Sequence, residues 1–250
     1  RKKQAKAPYS LTKNTENKEE KHMIGIIGAM ASEVDALIFG LSEKKTETLS
    51  GSLFTSGILE GKEVVIVRSG IGKVAAATAA EAMILRYAPT LLINTGVGGS
   101  LSEKLSVTDI AIADRAVEHD MDPTPLGAPP GLLSGIDIVY LPSDTDAVAG
   151  MSRAAETLGY HAEVGTIASG DRFVASAEEK GRIVSLFGAI ACDMEGAAIS
   201  HVAYLNGTPA VILRAISDSA DGSSHMDYPT FLAKAAERSH ALLKEFLRRL

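Results

Sequence analysis

The 250-residue sequence lacks tryptophan, has few aromatic residues (5%) and contains one cysteine, Cys192. A lone cysteine excludes an internal disulfide and fits a reducing compartment, which favours a cytoplasmic location. No apolar run approaches the roughly 18 residues that a membrane-spanning helix needs. The formal net charge of −6 argues against a nucleic-acid binder, which usually presents a basic face. These absences leave an acidic globular protein.

Residues 1–22 differ from the rest of the chain. They hold seven Lys or Arg and three Asp or Glu, with almost no aliphatic side chains. Such a segment buries too little apolar surface to order itself, so it is predicted to be a disordered basic leader or remnant. The chain begins at Arg1 rather than at methionine, which leaves an upstream export signal open. A solvated tail is favoured over a segment that binds acidic surfaces.

From Met23 onward, short apolar runs alternate with helical patterns. The runs lie at 23–29, 64–68, 90–94, 110–113, 138–141, 165–168 and 210–216. The helical patterns lie at 30–37, 72–87, 145–158, 177–187, 194–205 and 228–250. This alternation predicts a single α/β domain over 23–250, with three α/β/α layers and a mixed, mainly parallel central sheet. Segments 51–59 and 61–67, joined at Glu60 and Gly61, indicate a hairpin.

Ligands of such sheets bind beyond the carboxyl ends of the strands, where residues 94–99 and three acidic segments fall. The Gly-Val-Gly-Gly sequence at 96–99 is neither a Walker A motif nor a dinucleotide fingerprint, and by itself it indicates a tight turn. Glu33 lies in a first helical turn, Glu195 starts a helix, and Asp218 follows an apolar strand. Each alone is more often a capping or solvated group, but three carboxylates at strand ends suit glycosidic cleavage.

Five motifs share an order and spacing with one family. They are Gly-Ile-Ile-Gly-Ala-Met at 25–30 followed by Glu33, Ser-Gly-Ile-Gly-Lys-Val-Ala-Ala-Ala at 69–77, Ser-Gly-Asp-Arg-Phe at 169–173, Asp-Met-Glu at 193–195, and Arg-Ala-Ile-Ser-Asp at 214–218. Together they resemble the 5'-methylthioadenosine/S-adenosylhomocysteine nucleosidases, of the purine nucleoside phosphorylase-like fold. The resemblance covers Met23 to the C-terminus. It implies hydrolysis of an N-glycosidic bond in methionine salvage.

The resemblance assigns the leaving-group side of that reaction to four residues. Asp218, oriented by Ser217, would protonate or hydrogen-bond N7 of the purine. Phe173 would stack on the base, and backbone atoms of Phe173 and Val174 would contact its Watson–Crick edge. Adenine would thereby become a better leaving group.

The resemblance also assigns the residues that would contact the sugar, the attacking water and the 5' substituent. Glu195 would bind the ribose hydroxyls with Met194 against the sugar, Glu33 would position and help activate the attacking water, and Arg214 would hold the carboxylates in place. Two further substrate-binding positions are Val97 and Asp193, where the family usually has Glu in place of Asp193. The 5'-alkylthio pocket would be lined by Met30, Ile71 and Leu126.

The partners implied by the resemblance are a small nucleoside substrate, water and a second copy of the chain. In this family the loop that contains Leu126 is lent by the neighbouring subunit, so a homodimer is expected. No cofactor and no metal are implied. His119 near Asp120 and Asp122 favours a loop network over a metal site, and His201 and His225 are predicted to be structural.

Two alternatives remain at this point. A phosphate-dependent nucleoside phosphorylase would need cationic groups around the phosphate, whereas the loop after the first strand offers Glu33 and neither Arg nor Lys, which favours water. A glycosaminoglycan-type polyanion binder on a nucleosidase scaffold would instead use the basic leader.

Overall fold

A computed structural model describes residues 22–221 and 228–250. The strands are β1 (Ile24–Gly28), β2 (Ser42–Leu49), β3 (Ser52–Leu59), β4 (Lys62–Arg68), β5 (Leu91–Ser100), β6 (Ile110–Glu118), β7 (Leu141–Pro142), β8 (Ala162–Ser169), β9 (Ala191–Asp193) and β10 (Ala210–Asp218). The helices are α1 (Ala31–Phe39), α2 (Lys73–Tyr87), α3 (Thr145–Thr157), α4 (Ala177–Phe187), α5 (Gly196–Asn206) and α6 (Tyr228–Arg249), with a 3-10 turn at Thr124–Leu126. Within the described ranges, no helix is long and apolar enough to cross a membrane. Except for His22, the predicted leader lies outside these ranges, as does His225.

All strands join one sheet in the order β10-β6-β8-β9-β5-β1-β4-β3-β2, with β7 beside β6. Pairing is parallel from β4 through β1 and β5 to β10, and from β6 through β8 to β9. It is antiparallel in the predicted hairpin β3–β4, at β2–β3, and where β10 meets β6 and β5 meets β9. The mixed α/β sheet is therefore confirmed. The three-layer description stays a prediction, because β10 also pairs with β5 and closes five strands into a ring.

Several predicted segments differ from the structure. The run at 138–141 contributes only Leu141 to β7, while Ile138 makes an isolated bridge to Leu133. Strand β2 was not predicted, because its sequence, SEKKTETL, is polar and mostly exposed and follows no apolar run. Strand β9 was not predicted because it has three residues. Both are held by their neighbours in the sheet rather than by local propensity.

The core explains why β1 is apolar throughout. All five residues of β1 are buried, and alternate side chains enter different clusters. Ile26 belongs to a cluster that contains Val34 and Leu37 of α1, together with side chains of α3 and α6. Ile27 belongs to a second cluster with Met83 and other side chains of α2 and α5. Helices thus cover both faces of β1, and its carboxyl end opens between α1 and α2.

Candidate active site

A cavity of about 580 Å³, open to solvent, lies where β1, β4, β8, β9 and β10 end. Its lining comes from segments far apart in the chain: Ala29, Met30, Glu33, Ile71, Val97, Gly98, Gly99, Arg172, Phe173, Val174, Cys192, Asp193, Met194, Glu195, Ser217 and Asp218. Every predicted site residue except Leu126 and Arg214 belongs to this lining. The tertiary structure therefore brings the sequence motifs together at one place.

Glu33 is held at the cavity wall by three backbone donors. It lies in the first turn of α1 and is 5% exposed. Its Oε2 accepts hydrogen bonds from Ala29 N at 2.7 Å and Met30 N at 2.9 Å, and its Oε1 accepts one from Val97 N at 3.0 Å. Glu33 thus caps its own helix and faces the cavity at once, so the capping role and the functional role are compatible.

The glycine sequence at 96–99 is not the tight turn that was predicted. Strand β5 continues through it to Ser100 and pairs with both β10 and β9. A Cβ at Gly96 would overlap the Glu33 carboxylate, and one at Gly98 would lie 2.8 Å from Cys192 O. The glycines let the extended backbone pass directly beside Glu33, which brings Val97 N to its carboxylate.

Asp218 ends β10 at an irregularity in the strand. The β5–β10 register shifts between Ile216 and Asp218, and Asp218 is 7% exposed. The Ser217 hydroxyl donates to Asp218 Oδ2 at 2.8 Å, and Ala220 N donates to Oδ1 at 2.9 Å. These two donors fix the carboxyl plane, in the arrangement expected for Ser217 and Asp218.

Glu195 is a cavity carboxyl group with a strongly raised pKa. It precedes α5, is 7% exposed, and accepts a hydrogen bond from Gly72 N at 2.9 Å on Oε1. Burial raises the pKa of Glu195 to about 7, and the nearby Asp193 carboxylate adds to the rise, while Arg214 and the Gly72 N–H oppose it. Near neutral pH this group therefore exists in both protonation states.

A buried ion pair supports the segment that carries Glu195. Arg214 is 1% exposed, and its Nη2 lies 2.5 Å from Asp193 Oδ2. Its Nη2 also donates to the side-chain oxygen of Asn94, whose Nδ2 donates to Ile27 O at 2.9 Å. Asp193 Oδ1 accepts from the Ser169 hydroxyl. Arg214 therefore acts on the cavity through Asp193, not by contacting it.

The rim of the cavity is apolar and more exposed than its floor. Phe173 is 55% exposed and Ile71 59%, whereas Val174 is buried. Leu126 lies on the 3-10 turn, is 88% exposed, and is absent from the lining of this chain's own cavity. Within one chain, Met30 and Ile71 are the residues predicted for the 5' pocket that reach the cavity.

Several charged side chains at and near the cavity bond to partners of their own. Among the described lining residues the one cation is Arg172, which pairs with Glu179 at 3.5 Å. Asp120 binds Lys73, and Asp122 accepts from Thr124. In the described ranges, no three His, Cys, Asp or Glu side chains converge as metal ligands. Asp120 and Asp122 thus bond to other side chains, but His119 does not join them as predicted, because its two buried ring nitrogens have no hydrogen-bond partner among the described residues.

Several contributors escaped the sequence-based analysis. Arg172 and Cys192 line the cavity, and Asn94, Gly72 and Lys73 support it from behind. Most act through backbone atoms or through a second residue, so their side-chain types carried no signal. Asn94 was the exception, because a polar residue inside an apolar strand run suggests a buried contact.

Known proteins resemble this chain over most of its length. The family model of the phosphorylase superfamily matches residues 23–248. A 5'-methylthioadenosine/S-adenosylhomocysteine nucleosidase of Shewanella loihica is 37% identical over 228 residues, which are 91% of this chain and 99% of that protein. The chain belongs to this nucleosidase family, within the phosphorylase superfamily.

Solved structures agree with this assignment. The nucleosidase of Neisseria meningitidis, in complex with methylthio-immucillin-A, has a TM-score of 0.88 and 36% identity, covering 92% of this chain and all (100%) of that one. Futalosine hydrolase of Helicobacter pylori has a TM-score of 0.88 and 33% identity, covering 93% of this chain and 100% of its own. The nucleosidase fold thus also serves a hydrolase named for another nucleoside.

Proposed function

We propose that this protein hydrolyses the N-glycosidic bond of 5'-methylthioadenosine and S-adenosylhomocysteine, releasing adenine and the thioribose. The observation that carries the proposal is the acidic cavity floor, in which the carboxyl groups of Glu33 and Asp218 are each fixed by hydrogen-bond donors. The single lining cation among the described residues is already paired with Glu179. Such a floor repels phosphate and accepts neutral water, which favours hydrolysis over phosphorolysis.

Asp218 is the proton donor to the leaving group in this proposal. The bond between C1' of the ribose and N9 of adenine breaks, and its electron pair stays with the purine. In the proposed reaction Asp218 enters in its protonated form and gives that proton to N7, which removes the developing negative charge and leaves Asp218 as the carboxylate. Phe173 stacks on the base, and backbone atoms of Phe173 and Val174 contact its edge. General acid catalysis of this kind contributes about 10²- to 10⁴-fold.

Glu33 acts on the water. Its Oε2 accepts two backbone hydrogen bonds, while its Oε1 accepts one from the described residues, so Oε1 has room for a water molecule. Water adds to C1', and the proton that it releases goes to Glu33. Because the three N–H donors fix the carboxylate, little reorientation is needed when the water reacts.

Glu195 and its support bind the sugar. Ionised Glu195 accepts hydrogen bonds from the ribose hydroxyls, Met194 and Val97 pack near the sugar, and Asp193 with Arg214 holds the backbone that carries Glu195. The carboxylates also lie near the cationic ribose of the transition state. Because these carboxyl groups are almost completely buried, this electrostatic stabilisation is worth several kcal/mol.

The 5' substituent occupies the apolar rim, with Met30 and Ile71 from one chain and Leu126 from a second copy. Exposed apolar side chains on α2 and α5, such as Val74 (78% exposed) and Leu205 (59%), support a covered surface and hence a homodimer. Sedimentation analysis is expected to give a dimer. A monomer with full activity would reject the shared pocket.

Adenine release is the decisive measurement. Methylthioadenosine, S-adenosylhomocysteine, inosine, AMP and futalosine are each incubated with the protein, with and without phosphate. The two thioethers are expected to release base at rates that phosphate does not change. Base release that depends on phosphate would replace hydrolysis by phosphorolysis, and preferred cleavage of futalosine would favour the function named for the Helicobacter pylori hydrolase.

A further inference from the structure

Gly72, the residue before α2, and Lys73, the first residue of α2, contact two parts of the site. Gly72 N donates to Glu195 Oε1 at 2.9 Å, and Lys73 N donates to Asp171 Oδ1 at 2.7 Å. Asp171 directly precedes Arg172, Phe173 and Val174, which line the base side of the cavity. Adjacent backbone N–H groups thus hold the ribose carboxylate and the base segment in one geometry.

The Lys73 side chain closes this arrangement into a ring. Its Nζ donates to Asp120 Oδ1 at 2.7 Å, and Asp120 Oδ2 accepts from Asp171 N at 2.9 Å. Each of Lys73, Asp120 and Asp171 is therefore bonded to the other two. A ring of three charged residues resists displacement of any single member, because moving one strains two hydrogen bonds.

We propose that Lys73, Asp120 and Asp171 form a clasp that sets the distance between Glu195 and the base-binding segment. Lys73 is then a positioning residue of the reaction, since it touches neither the base nor the ribose. This inference rests on the proposed nucleosidase function and adds a determinant of how its base and ribose sites are aligned.

The Lys73 side chain of the clasp is also held by a second carboxylate. Lys73 Nζ also lies 3.0 Å from Glu118 Oε2, and Glu118 Oε1 lies 2.9 Å from His201 Nδ1. Burial opposes the charged form of Lys73, but hydrogen bonds to Asp120 and Glu118 outweigh it and raise its pKa. The ammonium is therefore charged at neutral pH. Its removal would leave two carboxylates facing each other without a cation.

The pKa of Glu195 provides a test of the clasp that does not depend on protein stability. The charged groups that face Glu195 are Asp193 on β9, Arg214 on β10 and Glu33 on α1. Asp193 and Glu33 disfavour its ionised form, whereas Arg214 and the Gly72 N–H favour it. If the clasp opens and Gly72 N moves away, Glu195 should ionise at higher pH. The acid limb of activity should then shift upward.

The test compares Lys73→Met and Asp171→Ala with the wild type on methylthioadenosine, across the pH range. Each variant is expected to lower kcat/KM at least about tenfold below neutral pH and to move the acid limb up by about half a pH unit. The double variant should lose no more than about twofold beyond the worse single variant, because both break one ring. Lys73→Arg, which keeps the charge, should restore most of the activity.

Arg86→Met is the matched control. It removes a cation from the other end of α2, where Arg86 pairs with Glu47 at 2.9 Å. It is expected to keep both the rate and the pH profile of the wild type. If Lys73→Met does not fold, Asp171→Ala carries the test, because Asp171 is exposed and its removal leaves the ammonium paired with Glu118.

Two results would overturn the clasp while the wild type is active. One is a folded Lys73→Met or Asp171→Ala variant with kcat/KM within about twofold of the wild type. The other is a loss of activity that follows thermal stability alone, with the acid limb unmoved. A wild type that releases no adenine would instead reject the proposed function, and the clasp with it.

Discussion

The floor and the rim of the cavity are built on different principles. On the floor, Glu33, Asp218 and Glu195 are at most 7% exposed, and each accepts hydrogen bonds from backbone N–H groups. On the rim, Phe173 and Ile71 are more than half exposed, at 55% and 59%. The floor is complete within one chain, whereas the rim leaves apolar surface open. The proposed function therefore predicts that the carboxyl groups of one chain suffice for bond cleavage, and that the fit of the 5' substituent depends on what covers the rim.

Breaking the floor at Asp218 should have the largest effect. Asp218→Asn keeps the shape and the hydrogen bond from Ala220 N but cannot donate a proton to the purine. Its kcat is expected to fall by about 10²- to 10⁴-fold with KM little changed. Steady-state kinetics of adenine release measure this, with exposed Asp35→Asn as the matched control. Activity near that of the wild type would remove Asp218 as the proton donor.

Glu195→Gln should affect activity and stability in opposite directions. We expect kcat/KM to fall by about 100-fold, because a neutral amide stabilises the cationic ribose less. Since the ordinary pKa of Glu195 is 4.5 and its folded pKa is about 7, the unfolded chain releases this proton first as pH rises. The wild type thus loses stability as the pH rises from 4.5 to about 7. Above neutral pH, the unfolding free energy of the variant should exceed that of the wild type by about 2–3 kcal/mol.

Denaturant unfolding of Glu195→Gln at several pH values provides the check. The difference in unfolding free energy between variant and wild type should vanish below about pH 4.5, where the side chain at position 195 is neutral in both proteins. It should level off above about pH 7. Exposed Glu156→Gln serves as the control and should show no such trend. A variant that is less stable than the wild type at pH 8 would contradict a buried, unfavourable charge at this position.

The same pKa predicts how the wild type responds to pH. Because ribose binding requires the ionised form of Glu195, kcat/KM should fall as pH drops through about 7. The Glu195→Gln variant should lack that inflection, although its rate is lower throughout. If the wild type and the variant share one acid limb, another group controls it.

On the rim, Phe173→Ala should weaken binding more than it slows chemistry. Loss of stacking on adenine is expected to raise KM by about tenfold with a smaller change in kcat. Phe39→Ala removes a ring that is 85% exposed at the end of α1 and should change neither. A fall in kcat with unchanged KM would instead show that Phe173 acts in bond cleavage, as is proposed for the carboxyl groups of the floor.

Leu126→Ala should give the smallest effect and tests where the rim is completed. If a second copy supplies Leu126, KM for methylthioadenosine should rise by about fivefold while the rate at saturation is kept. Leu53→Ala, at an exposed position on β3, is the control. Unchanged KM would show that Leu126 does not contact the substrate of either subunit.

Much of this arrangement was predictable from local patterns. Alternating apolar runs and helices gave the α/β class, the hairpin β3–β4 and every helix to within a few residues. The predicted carboxylates meet in one cavity because parallel strands end at the same edge of a sheet. The polar strand β2 and the three-residue β9 could not be predicted, since both depend on neighbours distant in sequence.

The sequence by itself determined which chemical groups are present: three carboxylates, an aromatic side chain for a base, and no basic residue from Gly28 to Glu33. Only the tertiary structure decided what holds them. The strand through Gly96 places Val97 N on Glu33, Arg214 is buried against Asp193, and Lys73 bonds to both Asp120 and Asp171. Backbone N–H groups have the same chemistry in nearly every residue, so their role depends on long-range packing and not on residue type.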